Sequence, residues 1–588
     1  MPFFKSLFIL IFIVKAASVS AAFLSPEAKG RWHQLLHFDG TESRADDELF
    51  FVHPEGKYNP QLELERFIAI YEGRADQQKK FGRFNLELSC AFPARTQFLI
   101  KEGIIRPKSV KCSEWDKWKE EVSPSALMVV FSTAYPNNPG SMFGHTFLRF
   151  KKASSDKPLL DYSANYSALT TSDDSGFMYA MKGIFGGYRG YFDLHPHYML
   201  VNDYNHSENR DLIEYHLNLN QSQLDFLFAH LWELYQTSSF DYYFTWENCS
   251  YHLAELLNIV LDRPLDLPHR WFYLPVDLIH GLMKREGLVS TITQRASQKR
   301  VLRKVDRQSL DGKIHYLNYL KFQKKGKLSE EENKEFIETL RERAKRGESS
   351  QPLEFKPFEN QPHLAHEAAR LALGYSQRRE GALRLKYRSG YHEFLSPDQG
   401  LESFSQFLFL SPTLSLGKVE GRTKVILDEF SLIEIASLHP VEYFDRQLSW
   451  KVGARYERFL DESRCLDCGR FQGEGKMGFS FGDRGVIMSF LLGGVAEISG
   501  RFQNSYRLNA AYELLFGASF KTLKLFSSFE GRANIEHFKD DFDHRMNLGL
   551  SGFISKNNTV RLEFKKLWAG RNWRASGDEL ALEWGVAF

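Results

Sequence analysis

The sequence predicts an α+β domain, an antiparallel sheet plus helices, followed by a C-terminal antiparallel β-barrel of roughly 10–12 strands. Three observations carry that expectation. Residues 121–290 interleave short β-forming runs with helical apolar stripes. From residue 380 to 588 apolar side chains recur at every second position. The chain of 588 residues is too long for one hydrophobic core, so several domains are expected. A net charge of +2 lacks the strongly basic domain that nucleic-acid binding needs, so no nucleic-acid partner is expected.

The first element is residues 1–22. Lys5 forms a short positive region, Leu7 to Val14 an apolar run, and Val19-Ser20-Ala21 and Ser20-Ala21-Ala22 offer small residues for cleavage. This reads as a secretory signal peptide, because the apolar run is too short to span a membrane and Lys15 interrupts it. No later stretch has the uncharged apolar length of a spanning helix.

Residues 23–120 read as a helical subdomain. Ser25 before Pro26, with Glu27 in the first turn, marks one helix start, and the stretch at residues 59–73 looks alike. Within 121–290, residues 125–135, 142–152, 159–169 and 211–219 read as strands. Gly183, Gly186, Gly187 and Gly190 read as a loop of close backbone approach. Residues 221–262 read as helical, with Leu224, Leu227, Phe228, Leu231 and Leu234 on one stripe and Leu253, Leu256, Leu257 and Val260 on a second. Residues 291–379 read as a charged helical connector, where Ser329 and Glu332 form a capping box.

In residues 380–588, Leu383, Leu385 and Tyr387 alternate with Arg384, Lys386 and Arg388. Leu580, Leu582, Trp584, Val586 and Phe588 alternate with Ala581, Glu583, Gly585 and Ala587. One apolar face and one polar face on many strands fit an outer-membrane barrel, since lipid demands a closed sheet. The competing reading is a soluble β-sandwich with the apolar faces turned inward.

Of five cysteines, Cys90 pairs most simply with Cys112 and Cys465 with Cys468, which leaves Cys249. A zinc site at Cys465 and Cys468 lacks a second ligand pair nearby. Cys249 opens a helix, where free N–H groups favour a thiolate. His145 lies mid-strand on the sheet that this helix should cover, as an acid–base partner. Asn165 is the candidate orienting group for His145, with Asp161 as competitor; parity puts both on one side of their strand. His252, one turn beyond Cys249, is an alternative partner or a surface residue. The Cys249 backbone N–H is a candidate oxyanion donor, and Asn248, Ser250, Tyr188 and Arg189 are cleft or oxyanion candidates. Taken singly, His145 also fits a satisfied core histidine and Cys249 a small buried apolar residue. No His-Glu-x-x-His and no Gly-rich phosphate loop is present, so neither metal nor cofactor is expected.

The order His-strand, polar strand, Asn-Cys at a helix start resembles the circularly permuted papain-like hydrolases and acyltransferases. More closely, residues 137–150, 159–168, 185–196, 210–219 and 240–257 resemble the family of the extracytoplasmic domain of the lipoprotein intramolecular transacylase Lnb. Residues 86–99 fit that family's N-terminal flank, and the likeness covers about residues 80–265. The resemblance implies a Cys–His acyl-transfer site at Cys249 and His145, in a periplasmic domain. Unlike that transacylase, this sequence shows no spanning helix beside the domain. The expected function is a thiol-dependent acyl transferase or hydrolase acting on lipid or lipoprotein acyl groups at the outer membrane. A peptidoglycan amidase or endopeptidase and a non-enzymatic barrel-anchored envelope protein are the alternatives.

Overall fold

The computed structural model describes residues 24–297 and 361–588, apart from 76–79, 135–142, 171–173, 175, 269–271, 379–380, 420, 442–446, 462–464, 484, 501–504, 537–541 and 570–573. The expected signal peptide, the Ser329–Glu332 capping box and most of the expected connector lie outside the described residues. Among the described residues no helix is long and apolar enough to cross a membrane.

The chain divides into two compact units, the first running to Trp118 and including Phe226–Phe240. It opens with α1 (Pro26–Leu35), a small hairpin of β1 (Phe38–Asp39) and β2 (Glu42–Ser43), and α2 (Pro60–Tyr71). The short α3 (Leu88–Ala91), α4 (Pro93–Lys101) and the start of α5 (Ser113–Val122) follow. Ser25 and Asn59 accept hydrogen bonds from the first turns of α1 and α2, each with a proline where no N–H is needed. Trp32 packs between Phe67 and Phe98 in the core. Arg95, fully buried, lies between Glu63 at 3.3 Å and Glu233 at 3.5 Å, so its charge is compensated on both sides. Cys90 and Cys112 form the expected disulfide.

The second unit holds a seven-stranded sheet and the barrel. Along the chain come β3 (Pro124–Ser132), β4 (His145–Lys152), β5 (Tyr162–Ala168), α6 (Gly176–Phe185), β6 (Tyr188–Pro196) and α7 (His197–Leu200). A π-helical turn over Val201–Ser207 leads to β7 (Leu212–Leu217), then α8 (Gln221–Thr237), which from Phe226 belongs to the first unit, and on to β8 (Phe240–Tyr242), α9 (Cys249–Asn258), α10 (Pro275–Lys284) and β9 (Val289–Arg295). The strand order is β8-β6-β5-β4-β3-β7-β9, antiparallel at each pairing from β6 to β9. The helix α9 packs on β4 and β5. The central strands are buried on both faces, as continuous apolar runs such as Leu127–Phe131 require.

The barrel is closed by twelve strands: β10 (Arg370–Ser376), β11 (Ala382–Arg388), β12 (Ser405–Val419), β13 (Arg422–Ser437), β14 (Ser449–Asp461), β15 (Cys465–Gly482), β16 (Val486–Ile498), β17 (Tyr506–Ser519), β18 (Leu523–Asn534), β19 (Phe542–Phe553), β20 (Asn558–Ala569) and β21 (Arg574–Ala587). Each strand pairs antiparallel with the next, and β10 pairs with β21 to leave no edge. Leu383, Phe479, Phe481, Leu492 and Trp584 point outward and are exposed, while Arg384, Arg470, Glu497, Arg532 and Glu583 are buried inside. The apolar faces therefore turn out, as lipid requires and a sandwich forbids. The interior charges neutralise one another; Lys476 alone meets Glu474 at 2.8 Å, Glu513 at 2.7 Å and Glu530 at 2.5 Å.

Residues 389–404, between β11 and β12, fold into the lumen. Phe394 stacks on Phe526 at 4.2 Å, Glu393 bonds Arg561 at 2.5 Å, and Asp398 pairs with Lys524. At the same end the barrel meets the sheet domain through an apolar cluster that includes Phe143, Leu274, Val276, Ala369, Phe407 and Ile435. Phe143 lies edge-on to Phe407 at 4.3 Å between ring centres.

Three expectations need correction. The barrel begins before residue 380, since Arg370–Ser376 is the strand that closes it; its alternation was short and flanked by polar residues. The expected helical connector 291–379 therefore overlaps a strand at each end, because Val289–Arg295 pairs with β7 and its Thr-rich, largely exposed face hides the period. Gly183 lies in α6, not in a loop. A Cβ there would stand 2.2 Å from the Phe244 ring, so the glycine serves close packing.

Candidate active site

The local sequence sets the geometry of Cys249. Asn248 caps α9, its Oδ1 accepting from the backbone of Ser250 at 3.1 Å and Tyr251 at 3.3 Å. Its Nδ2 donates to the carbonyls of Phe244 at 3.3 Å and Tyr273 at 2.6 Å. The cap residue is thus tied on both sides, and the thiol at the first helical position is held against the sheet. Cys249 is the free cysteine among the described residues, and it is buried, 2% exposed.

His145 opens β4, beside the thiol and within hydrogen-bonding reach of it. Its Nε2 donates to Asn165 Oδ1 at 2.6 Å, which leaves Nδ1 for the sulfur. The register explains why Asn165 and not Asp161 is the partner. Arg149 pairs with Ser163 across β4 and β5, so Asn165 lies on the His145 side and Asp161 on the far side. There Asp161 accepts from the Lys152 backbone at 2.9 Å and meets Arg149 at 3.2 Å. Asp161 is structural.

Thr146 and Ser250 complete the thiol's surroundings. Their hydroxyls bond each other at 2.8 Å, and each lies near the sulfur, Thr146 at 3.8 Å and Ser250 at 3.7 Å. The Tyr242 hydroxyl stands near the Cys249 backbone N–H, the expected oxyanion donor. Tyr204, on the π-helical turn, lays its ring 5.3 Å from the imidazole and 5.7 Å from Phe147. The guanidinium of Arg210 lies 5.0 Å from the Tyr204 ring centre and is itself fixed by the carbonyls of Thr133 and Ser132.

The electrostatics follow from these contacts. Burial alone pushes the Cys249 thiol up, but the His145 charge and hydrogen bond, with hydrogen bonds from the Thr146 backbone N–H and the Ser250 hydroxyl, bring it down to about 6. Burial alone pushes the His145 imidazole down, while the Cys249 charge and the bonds to Cys249 and Asn165 raise it above its ordinary range. A thiolate–imidazolium pair is therefore the favoured state near neutral pH.

Other expected site residues fall elsewhere. His252 is fully buried, 4.5 Å from the Tyr166 ring and 3.5 Å from Glu255, not on the surface. The Tyr188 hydroxyl donates to Asp174 at 2.6 Å, and Arg189 is exposed on β6. Backbone of Cys465 and Cys468 lies in β15, but their side chains are outside the described residues. Thr146, Tyr204 and Tyr242 escaped the sequence reading. Thr146 follows the histidine in an alternating strand, and the polar run at 201–207 has no periodicity to notice.

A closed barrel with an apolar exterior, joined to a sheet domain, defines a bacterial envelope protein of the outer membrane. The domain is periplasmic: residues 114–285 match the family model of the Lnb N-terminal periplasmic domain, as the motifs of that stretch predict. Residues 27–102 and 359–584 match two domains of unknown function, DUF7843 and DUF7840. Residues 86–99, expected to flank the Lnb-like region, fall within the first of these. No curated protein matches the chain. Solved structures similar to it include LpxR from Salmonella typhimurium, at 12% identity over 37% of this chain and 100% of that one, with a TM-score of 0.22. A loop L8 deletion mutant of OmpT from Vibrio cholerae matches at 7% identity, 37% and 97% coverage and a TM-score of 0.21. Both likenesses are too slight to bear on function.

Proposed function

We propose that the protein is a thiol-dependent acyl transferase or hydrolase acting on lipid or lipoprotein acyl groups at the outer membrane. The observation that carries this reading is the Cys249–His145–Asn165 constellation at the start of α9. A buried thiol without a partner is pushed up and is inert; Cys249 goes the other way. In the first step the Cys249 thiolate attacks the acyl carbonyl, forming a C–S bond and a tetrahedral oxyanion. The oxyanion collapses, the ester C–O bond breaks, and the His145 imidazolium gives its proton to the departing oxygen. A thioester on Cys249 remains. An incoming amine, hydroxyl or water then loses its proton to His145 as it attacks the thioester, and the acyl product leaves with the thiolate restored. Asn165 holds the imidazole in the plane that both transfers need.

The test is intact-mass and peptide mass spectrometry of the full-length protein in nanodiscs of chain-labelled phospholipid. The expected result is an acyl mass on the Cys249 peptide, sensitive to neutral hydroxylamine and absent from His145→Ala. If no acyl mass forms from phospholipid or diacylated lipopeptide, while muropeptides are released from sacculi in a Cys249-dependent way, the lipid reading fails and peptidoglycan is the substrate.

A further inference from the structure

The helix α6 carries apolar side chains that are exposed on one face. Met178, Met181 and Phe185 recur at positions i, i+3 and i+7 and therefore share one face. They are 44%, 38% and 70% exposed. The opposite face is packed: Tyr179 lies 5.1 Å from Phe244 and 5.8 Å from Tyr188, and Gly183 lets the Phe244 ring approach. The Phe244 N–H donates to the Gly183 carbonyl at 2.7 Å, and its own carbonyl accepts from the cap Asn248. The helix is thus bonded to the segment that positions Cys249. Leu169, at the end of β5, adds a side chain 66% exposed.

The topology says which way this end of the domain faces. The strand β4 begins at His145, two residues beyond Phe143, whose ring is buried against Phe407 of the barrel. The antiparallel neighbour β5 ends at that same edge of the sheet, and α6 is the connection from it to the start of β6. The His145 end of β4, the exposed α6 face and the barrel contact therefore share one end of the domain. That end is the one bound to the rim of a barrel whose outer surface lies in lipid. A second exposed apolar patch, of Leu159, Leu160, Tyr198 and Met199, lies at the opposite end of β5 and β6.

We infer that the α6 face is a membrane-docking element that inserts Met178, Met181 and Phe185 into the phospholipid leaflet beside the barrel and admits acyl chains to Cys249. The docking stands on the geometry of α6; the admission of acyl chains rests on the acyl-transfer reading above. Side chains of this type bury to the depth of the headgroup–acyl boundary when a helix lies in the interface.

The test is photocrosslinking of the unmodified full-length protein in nanodiscs of phosphatidylethanolamine and phosphatidylglycerol that include a phospholipid with an acyl-chain diazirine. Labelled peptides are mapped by mass spectrometry, with the outward barrel residues Phe479 and Phe481 as the internal standard. The expected result is labelling of the α6 peptide and a fall of at least fivefold in Phe185→Glu, with no labelling of the peptides holding Leu160 and Met199. Barrel labelling without α6 labelling overturns the inference, and so does equal labelling of the two patches. The two readings fail separately. Labelling of α6 without any thioester on Cys249 leaves docking intact and removes lipid acyl transfer. A thioester from lipid without α6 labelling does the reverse.

Discussion

At Cys249 burial and charge pull in opposite directions, and charge wins because an imidazole stands beside the sulfur. The rate of iodoacetamide alkylation from pH 4 to 10 should therefore rise with a midpoint of about 6. In His145→Ala the burial is opposed only by the hydrogen bonds of Thr146 and Ser250, and the midpoint should move up toward the ordinary thiol value of 9.0. The linkage has the matching sign. The depressed Cys249 value stabilises the fold above the ordinary thiol range and less as pH falls through about 6. The raised His145 value stabilises it below 6.5 and less as pH rises past the folded value. Asn165→Ala removes one hydrogen bond to the imidazole, about 1.4 kcal/mol, so turnover should fall about tenfold while substrate affinity holds. The split between kcat and KM reads this directly. Much of this was legible in the sequence: Cys249 stood out as the odd thiol at a helix start, and His145 as the histidine on the facing strand. The third residue was not, because Asn165 and Asp161 share a parity. Only the β4–β5 register, which places Asp161 beside Arg149, separates them.

At the scale of the element, α9 and α6 depend on single side chains. Asn248→Ala removes the cap of α9 and two donated bonds to neighbouring carbonyls. The loss should be at least about 1 kcal/mol, seen as faster hydrogen exchange through the first turn of α9. Gly183→Leu places carbon atoms where the Phe244 ring stands, so α6 should detach and exchange rapidly while the barrel strands stay protected. The helical stripes of 221–262 and the strands of the sheet core could be read from periodicity. The strand β6 was not, because four glycines in KGIFGGYRGYF read as a turn, whereas three of them face aromatic rings. Local glycine content cannot distinguish a flexible loop from a place where a ring comes close.

For the whole molecule, the barrel strands were legible because lipid enforces a strict two-residue period, and the strand count fell within the expected range. The lumen was not legible, since nothing in the sequence of 389–404 says that it turns inward. Its placement predicts that the protein in planar bilayers shows no sustained conductance, and that deletion of 390–403 opens a channel. The interior charges give a second prediction. Lys476→Met removes the cation that meets Glu474, Glu513 and Glu530 together and leaves them to Lys451, Arg455 and Arg532, which should lower the urea midpoint of barrel unfolding.

The apolar seam between Phe143 and Phe407 has a kinetic meaning as well. A domain packed on the barrel rim does not wander on a tether through the periplasmic volume. For a substrate held in the leaflet, as the proposed acyl transfer requires, encounters with Cys249 are then counted per area of membrane and not per volume of periplasm. On that proposal, diluting the cell's contents leaves the encounter rate unchanged, and diluting the lipid substrate within the membrane lowers it.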